Sequence, residues 1–428
     1  MYKHILIGNS AAAVGAIEAI RKAGDTGSIA VFSDEPWRVY SRPLISYLLA
    51  HKITPDKMFY RPESFYDKLA VDTFLADAVT AVDVEAKTLQ TAKGEDFSFE
   101  NLLLATGGVP FVPPMPGVDL KGVYTFTKWA DVLSIEEYLT EYKPTQIVVI
   151  GGGLIGLKSA EALIRRGFSV TIVELADRIM SAAFDKTASD LASVILQSSG
   201  CRVITGDTAE ELVGQDGRLG EVRLKGGEVL PAQLCVVAIG VRPNTELLKG
   251  SPLEINRGIV TDHRMATNMP GIYAAGDCAE GPDLLLGIKR PIPIWPNAYI
   301  QGKAAGRNMG GDPFELDGTF VMNSIDVMDI STISAGITDP GDDPEAEILV
   351  DLDMAKRKYK KLVIKDNRLI GMVVFRDVDR AGLYTGLIRT KTDIGSYKDR
   401  LLAGDFGLLD MANYDHLEER VLGPGIQV

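Results

Sequence analysis

Cysteine is nearly missing from this chain. Only Cys201, Cys235 and Cys278 occur among 428 residues, widely separated and with no CxxC or CxxxxC spacing. That pattern excludes a disulfide framework and a zinc or iron–sulfur site, and it fits a reducing compartment. Histidine is as sparse (His4, His51, His263, His416), so no metal-ligand constellation is visible. Long apolar runs are also lacking. The most continuous, 147–150 and 102–105, have the length of a strand, far short of the ~20 residues of a membrane span. Positive charge is in deficit, with 45 Lys and Arg against 58 Asp and Glu and a net charge of -13. No sequence-wide basic field exists to neutralise phosphates, so nucleic acid is not an expected partner. The start, Met1-Tyr2-Lys3-His4, runs straight into Ile5-Leu6-Ile7, without the charged and long apolar regions of a secretory leader. The expectation is a cytoplasmic, unanchored protein.

What is present is a globular composition, 46% apolar and 24% charged, in a chain too long for one ordinary core. Two or three domains are expected. An apolar run at 3–8 ends in Gly8, a small-residue helical stretch follows at 11–23, and a second apolar run occupies 29–32. This is the opening of a βαβ unit. The same pattern returns at 146–173. Two mononucleotide-binding units in one chain imply two nucleotides. A strand ending in Ala105-Thr106-Gly107-Gly108, followed by a Pro-rich loop, reads as a crossover between domains, and a second crossover lies at 238–243. After about residue 316 the pattern changes to alternating strands. Asp366-Asn367 is a hairpin signal between 362–364 and 370–375. The acidic, Pro- and Gly-containing stretch 338–347 reads as a surface loop.

The second glycine motif is the stronger. A buried strand at 147–150 runs directly into Gly151-Gly152-Gly153-Leu154-Ile155-Gly156. The first glycine makes the tight turn, the next lets backbone approach a pyrophosphate, and the last lets helix pack on strand, with the helix N-terminus facing the phosphates. The following strand ends in Glu174, where a carboxylate accepts from adenine-ribose hydroxyls and repels a 2′-phosphate. NADH is therefore expected over NADPH. The bland alternative is a glycine-rich turn without a ligand. The first motif, Gly8-Asn9-Ser10-Ala11-Ala12-Ala13, is degenerate: Ser10 and Ala13 replace the second and third glycines. Ser33 stands where the second strand would end in an acid, and Asp34-Glu35 follows.

Two further segments, Ala105-Thr106-Gly107 and Ile272-Tyr273-Ala274-Ala275-Gly276-Asp277, complete a set. Together these motifs resemble those of the pyridine nucleotide–disulfide oxidoreductases, flavoproteins with two dinucleotide-binding domains. Segment 238–244 resembles the family's return crossover, and Trp295 to Gly302 resembles the helix that approaches the flavin ring. The resemblance spans about 3–400. It implies an α/β fold: a discontinuous FAD domain (1–110 and 240–316), an NAD domain (111–239) and a C-terminal α+β interface domain (317–428) that commonly builds a homodimer. It implies an FAD site formed by Gly8, Ser10, Ala11, Ala12, Asp34, Glu35, Arg42, Pro43, Val79, Ala105, Thr106, Gly107, Gly276, Asp277 and Trp295, with Asp277 on the ribityl hydroxyls. Gly151, Gly153, Leu154, Ile155, Gly156, Glu174 and Gly240 would serve NADH. No metal is expected.

The chain departs from the family's redox-active disulfide, having no cysteine before residue 201. Its Tyr40-Ser41-Arg42-Pro43 most resembles rubredoxin reductase and related flavin components, where a basic residue precedes proline. Thiol-dependent peroxidase, water-forming oxidase and coenzyme A disulfide reductase activities lose their sulfur. Direct hydride transfer to the flavin then suffices. Arg42 is the candidate fixed cation near the flavin, and Glu161 the candidate partner that orients it. The alternatives are an FAD phosphate or ribose contact for Arg42 and a capping carboxylate for Glu161. Cys278 reads as an inert buried thiol. The leading expectation is an FAD-dependent NADH oxidoreductase that passes electrons to rubredoxin, ferredoxin or an iron–sulfur enzyme. A hydrogen-peroxide-forming NADH oxidase and a flavin/NADH redox sensor are the competing readings. The basic run Lys356-Arg357-Lys358-Tyr359-Lys360-Lys361 either steers an acidic partner or forms an exposed strand rim.

Overall fold

The computed structural model describes residues 1–407, 410 and 411. The chain divides into two compact units. The first comprises 1–113, 125–141 and 239–320; the second comprises 114–124, 142–238 and the chain from 321 onward. The segment from Leu408 lies outside the described residues except for Asp410 and Met411.

In the first unit, strand Tyr2–Ile7, helix Ala11–Lys22 and strand Ile29–Phe32 form the expected βαβ opening. The strand order is Val71–Phe74, Ile29–Phe32, Tyr2–Ile7, Asp96–Leu104, with Ile272–Ala274 on the far side of Asp96–Leu104, all parallel. A parallel sheet buried on both faces needs continuous apolar strands, and Ile5, Leu6, Ile29, Val31, Leu102, Leu103 and Ile272 are fully enclosed. Helix Trp295–Met309 crosses helix Ala11–Lys22 at backbone contact. A methyl group at Gly302 would overlap the Ala12 carbonyl, and one at Gly306 the Ala16 carbonyl. Small residues at 12, 16, 302 and 306 are what permit that approach.

The second unit repeats the plan. Strand Gln146–Ile150, helix Leu154–Arg165 and strand Ser169–Glu174 form a βαβ unit, whose strands lie in a parallel sheet ordered Arg202–Thr205, Ser169–Glu174, Gln146–Ile150, Leu234–Val237, Val123–Tyr124. From Met322 the chain builds a five-stranded antiparallel sheet ordered Met322–Val327, Ile330–Gly336, Arg368–Phe375, Lys358–Lys365, Glu347–Asp353. Helix Ala381–Thr390 follows. The hairpin signal is realised: Asp366 and Asn367 both take positive φ (51° and 53°) between the paired strands, as a two-residue turn of right-handed strands requires. The loop 338–346 carries no regular structure.

The basic run does not make the expected patch. Residues Lys358–Lys365 form a strand with a neighbour on each side. Lys360 and Lys361 are buried, 4% and 5% exposed. Lys361 bonds Asp185, and Lys358 pairs with Asp351 and Asp377. Only the start of the run stays at the surface, Lys356 being exposed and paired with Asp353, while the strand from Lys358 is covered on both faces along most of its length.

Candidate functional site: two glycine turns at the carboxyl ends of parallel strands

In the first unit, three separated motifs converge on one sheet edge. Ile7 is in register with Leu104, and Leu104 with Ala274. The amides of Gly8, Ala105 and Ala275 bond the carbonyls of Phe32, Ile7 and Leu104 at 2.9, 2.8 and 3.0 Å. The turns at 8–13, 105–107 and 276–277 therefore leave the carboxyl ends of adjacent strands, the edge at which open α/β sheets bind ligands. Gly8 has φ +112°, and a methyl there would overlap the Ala105 carbonyl. Ser10 is the N-cap of the Ala11–Lys22 helix but makes no side-chain cap, and the first turn has no acid. The positive helix end is left for an anion. The two crossovers meet: Gly108–Pro110 pairs antiparallel with Val241–Pro243, and Thr106 Oγ1 donates to the Asn244 carbonyl at 2.6 Å.

Asp277 fits the role the resemblance gives it. No hydrogen-bond partner occupies its carboxylate among the described residues. Burial pushes the group up to about 6, against the opposing pull of the Arg42 cation. A desolvated carboxylate without protein donors is suited to hydroxyl donors from a ligand. Gly107 and Gly240 face open space, whereas Gly276 lies against Ala12 and Ala298 and is fixed by Gln301, whose Oε1 accepts its amide at 2.9 Å. Trp295 begins the helix Trp295–Met309 and packs edge-on against Tyr60. Val79 opens a strand paired with Thr91, and Pro43 sits in the short turn Arg42–Leu44.

The structure places the acids of this region differently from the sequence reading. Asp34 is exposed and pairs with Lys128 at 2.7 Å. Glu35 is buried, and both its oxygens are taken. Oε1 accepts from Arg42 at 2.5 Å and Oε2 from the Tyr40 hydroxyl at 2.7 Å. Arg42 and Glu161, the proposed partners, each have partners within their own unit. Arg42 is held by Glu35 and by the Thr127 carbonyl at 3.3 Å. Glu161, 3% exposed, is held by Lys158 at 2.5 Å and Arg165 at 3.0 Å, and Arg165 also binds Asp329. The i,i+3 and i,i+4 spacing of these cations on one helix satisfies Glu161 locally. That spacing is readable in the sequence. Tyr40, by contrast, carried no signal.

In the second unit the glycine turn is as expected. Gly151 has φ +108°, and its amide bonds the Val173 carbonyl at 2.8 Å. Gly153 is an N-cap facing open space, and a methyl at Gly156 would overlap the Gly151 carbonyl. Leu154 and Ile155 form the first turn of an uncapped helix with no acid in that turn. Glu174 ends its strand beside this turn. Its carboxylate accepts from the Gly152 amide at 2.5 Å and the Ala176 amide at 2.8 Å.

All three cysteines are buried free thiols. Burial pushes Cys201 and Cys235 up to about 12 and raises Cys278, whose Sγ donates to the Leu104 carbonyl at 3.3 Å. None has the thiolate character of a redox cysteine. Among the described residues there is no cluster of potential metal ligands, and no helix is long and apolar enough to cross a membrane.

Comparison with known proteins agrees with this geometry. The family model described as pyridine nucleotide-disulphide oxidoreductase matches residues 2–302, and that of the rubredoxin NAD+ reductase C-terminal domain matches 322–392. The chain is 33% identical to nitrite reductase [NAD(P)H] of Bacillus subtilis over 91% of its own length, but spans only 47% of that protein. It is 32% identical to the NADH-dependent phenylglyoxylate dehydrogenase subunit epsilon of Aromatoleum evansii, covering 94% of both chains. The crystal structure of a ferredoxin reductase for the CYP199A2 system from Rhodopseudomonas palustris superposes with a TM-score of 0.82 at 27% identity, over 89% of this chain and 93% of that one.

Proposed function

The chain belongs to the pyridine nucleotide-disulphide oxidoreductase family, and from that premise we propose that it moves electrons between NADH and an iron–sulfur or rubredoxin-type protein. The family is one of NAD(P)H-dependent oxidoreductases that use FAD, and the enzyme class and cofactors hold for this chain. FAD is assigned to the first unit, on Gly8, Ser10, Ala11, Ala12, Arg42, Pro43, Val79, 105–107, Gly276, Asp277 and Trp295. NADH is assigned to 151–156 and Glu174.

The observation that carries the reading is the state of the thiols. Every cysteine is buried, and none precedes residue 201, so Ser41-Arg42-Pro43 offers no sulfur relay. Bound FAD would accept a hydride from NADH and release electrons singly. The balance is one NADH and two oxidised carriers giving NAD⁺, a proton and two reduced carriers. The residues' share is to bind, orient and hold charge: the two uncapped helix ends take the pyrophosphates, Asp277 accepts ribityl hydroxyls, and Arg42 supplies a cation. The names of the relatives support a protein acceptor. One is a subunit of an NADH-dependent dehydrogenase, and the solved neighbour is a ferredoxin reductase.

The test is an anaerobic NADH titration of the FAD-loaded protein, followed separately by rubredoxin, ferredoxin and oxygen. Fast reoxidation by a carrier protein and slow reoxidation by oxygen is expected. Fast reoxidation by oxygen alone would make the protein an oxidase instead.

A further inference from the structure

The first unit contains a buried ion cluster around Glu35 and Arg42, two residues that the family resemblance places in the FAD site. Glu35 is 7% exposed and Tyr40 is 4% exposed. Tyr40 donates its hydroxyl proton to Glu35 and accepts the Trp129 amide at 3.1 Å. Its ring is fixed edge-on against Trp129, which stacks on Trp37 at 5.0 Å. The Arg42 guanidinium carbon lies 5.3 Å from the centre of the Tyr40 ring. Each carboxylate oxygen thus has a donor from within the protein, and the Tyr40 donor is itself immobilised by packing.

A guanidinium has five N–H groups. Arg42 spends two directions on Glu35 and Thr127. Its remaining donors have no acceptor among the described residues, and the side chain stays 34% exposed. The Arg42 charge acts on Asp277, the carboxylate assigned to the FAD ribityl chain. An arginine anchored at one end by a desolvated carboxylate loses little further entropy when its other donors meet an anionic group.

We propose that Glu35 and Tyr40 are positioning residues, not ribose ligands, and that they hold Arg42 as a fixed cation against the electron-rich reduced flavin. This rests on the reading of Arg42 as a flavin-site cation. A fixed cation favours the reduced, more anionic cofactor and raises its midpoint potential. Two effects of removing Glu35 then have opposite signs. Loss of a negative charge by itself raises the potential, and release of Arg42 lowers it.

The experiment is spectroelectrochemical measurement of the midpoint potential of bound FAD in wild type, R42Q, E35Q, Y40F and E35Q/R42Q, each checked for FAD content. The expected result is a shift to more negative potential in R42Q, most of that shift in E35Q, a smaller shift of the same sign in Y40F, and a double variant no lower than R42Q. A shift to more positive potential in E35Q overturns the proposal, because Glu35 would then act only as a nearby charge. Additive shifts in the double variant overturn it as well. No shift in R42Q sinks the underlying reading of Arg42 and the proposal with it. If E35Q fails to load FAD, Y40F decides alone, and an unchanged potential there is fatal.

Discussion

Asp185 and Lys361, 176 positions apart, form a buried ion pair with Oδ2 2.9 Å from Nζ. The same carboxylate accepts from the Tyr359 hydroxyl at 2.6 Å and caps the Lys186–Ser198 helix by accepting the Ala188 amide at 3.0 Å. Asp185→Ala strands the Lys361 ammonium and removes a helix cap. It is expected to cost about 3–5 kcal/mol, seen as a lower denaturation midpoint. Asp185→Leu combined with Lys361→Met should recover part of that loss, because the stranded ammonium is gone while the helix cap and the acceptor of the Tyr359 hydroxyl stay lost. Equal destabilisation by the single and double variants would contradict the assignment.

The desolvated Asp277 gives FAD binding a pH dependence. In the apoprotein its pKa stands at about 6, above the ordinary carboxylate value of 3.8. A raised acid binds its proton more tightly in the folded state, so its burial destabilises the apoprotein as pH rises from about 4 through 6. Hydroxyl donors from FAD favour the ionised form. FAD affinity should therefore fall below pH 6, by at most about tenfold per pH unit. Fluorescence titration of FAD at pH 5 and pH 7.5 measures this, and Asp277→Asn should bind more weakly with the pH dependence flattened.

Glu174 has two jobs that separate by substitution. It braces the glycine turn through the Gly152 and Ala176 amides, and it is the proposed reader of the adenine ribose. Glu174→Ala should lower kcat/KM for NADH by about tenfold or more, equivalent to ~1.5–3 kcal/mol for lost charge-assisted hydrogen bonds. It should affect NADPH less, narrowing the preference. Steady-state kinetics with both nucleotides decide it, and an unchanged ratio would remove Glu174 from nucleotide selection.

Gly302→Ala tests the helix crossing that supports the first turn. The added methyl meets the Ala12 carbonyl, which belongs to the helix that starts at the FAD turn. Overpacking of this kind costs typically ~1–3 kcal/mol, and the displaced turn should also lose FAD affinity. Thermal unfolding and FAD content should fall together.

The buried thiols should be spectators. Cys278→Ala is expected to keep the rate of flavin reduction by NADH within about twofold of wild type, since removing a buried thiol without thiolate character touches no electron path. A severe loss of reduction rate with normal FAD content would restore a redox role to that sulfur.

Much of the fold was legible because its signals are local. Strand 29–32 was read at its observed bounds, and a strand at 147–150, observed as 146–150, was read together with its glycine turn and the helix that follows. A tight turn needs positive φ, a close phosphate approach needs a small residue, and a buried parallel strand needs an unbroken apolar run. Each demand is met within a few consecutive positions. The Asp366-Asn367 turn was legible for the same reason.

The site's charge pairs were not. Glu35 could reach a ribose, a cation or solvent by sequence alone, and only the folded placement of Tyr40 and Arg42 around it assigns both oxygens. The lysine run looked like a surface because lysine usually is one. The sheet set Lys358–Lys365 between two strands, and the Asp185 pair made one of those buried charges tolerable. By itself the sequence determined where the chain turns, which strands are buried and that two dinucleotides are bound. The tertiary structure decided which acid meets which base. An ion pair depends on the distance between two side chains, and that distance is set by every element folded between them.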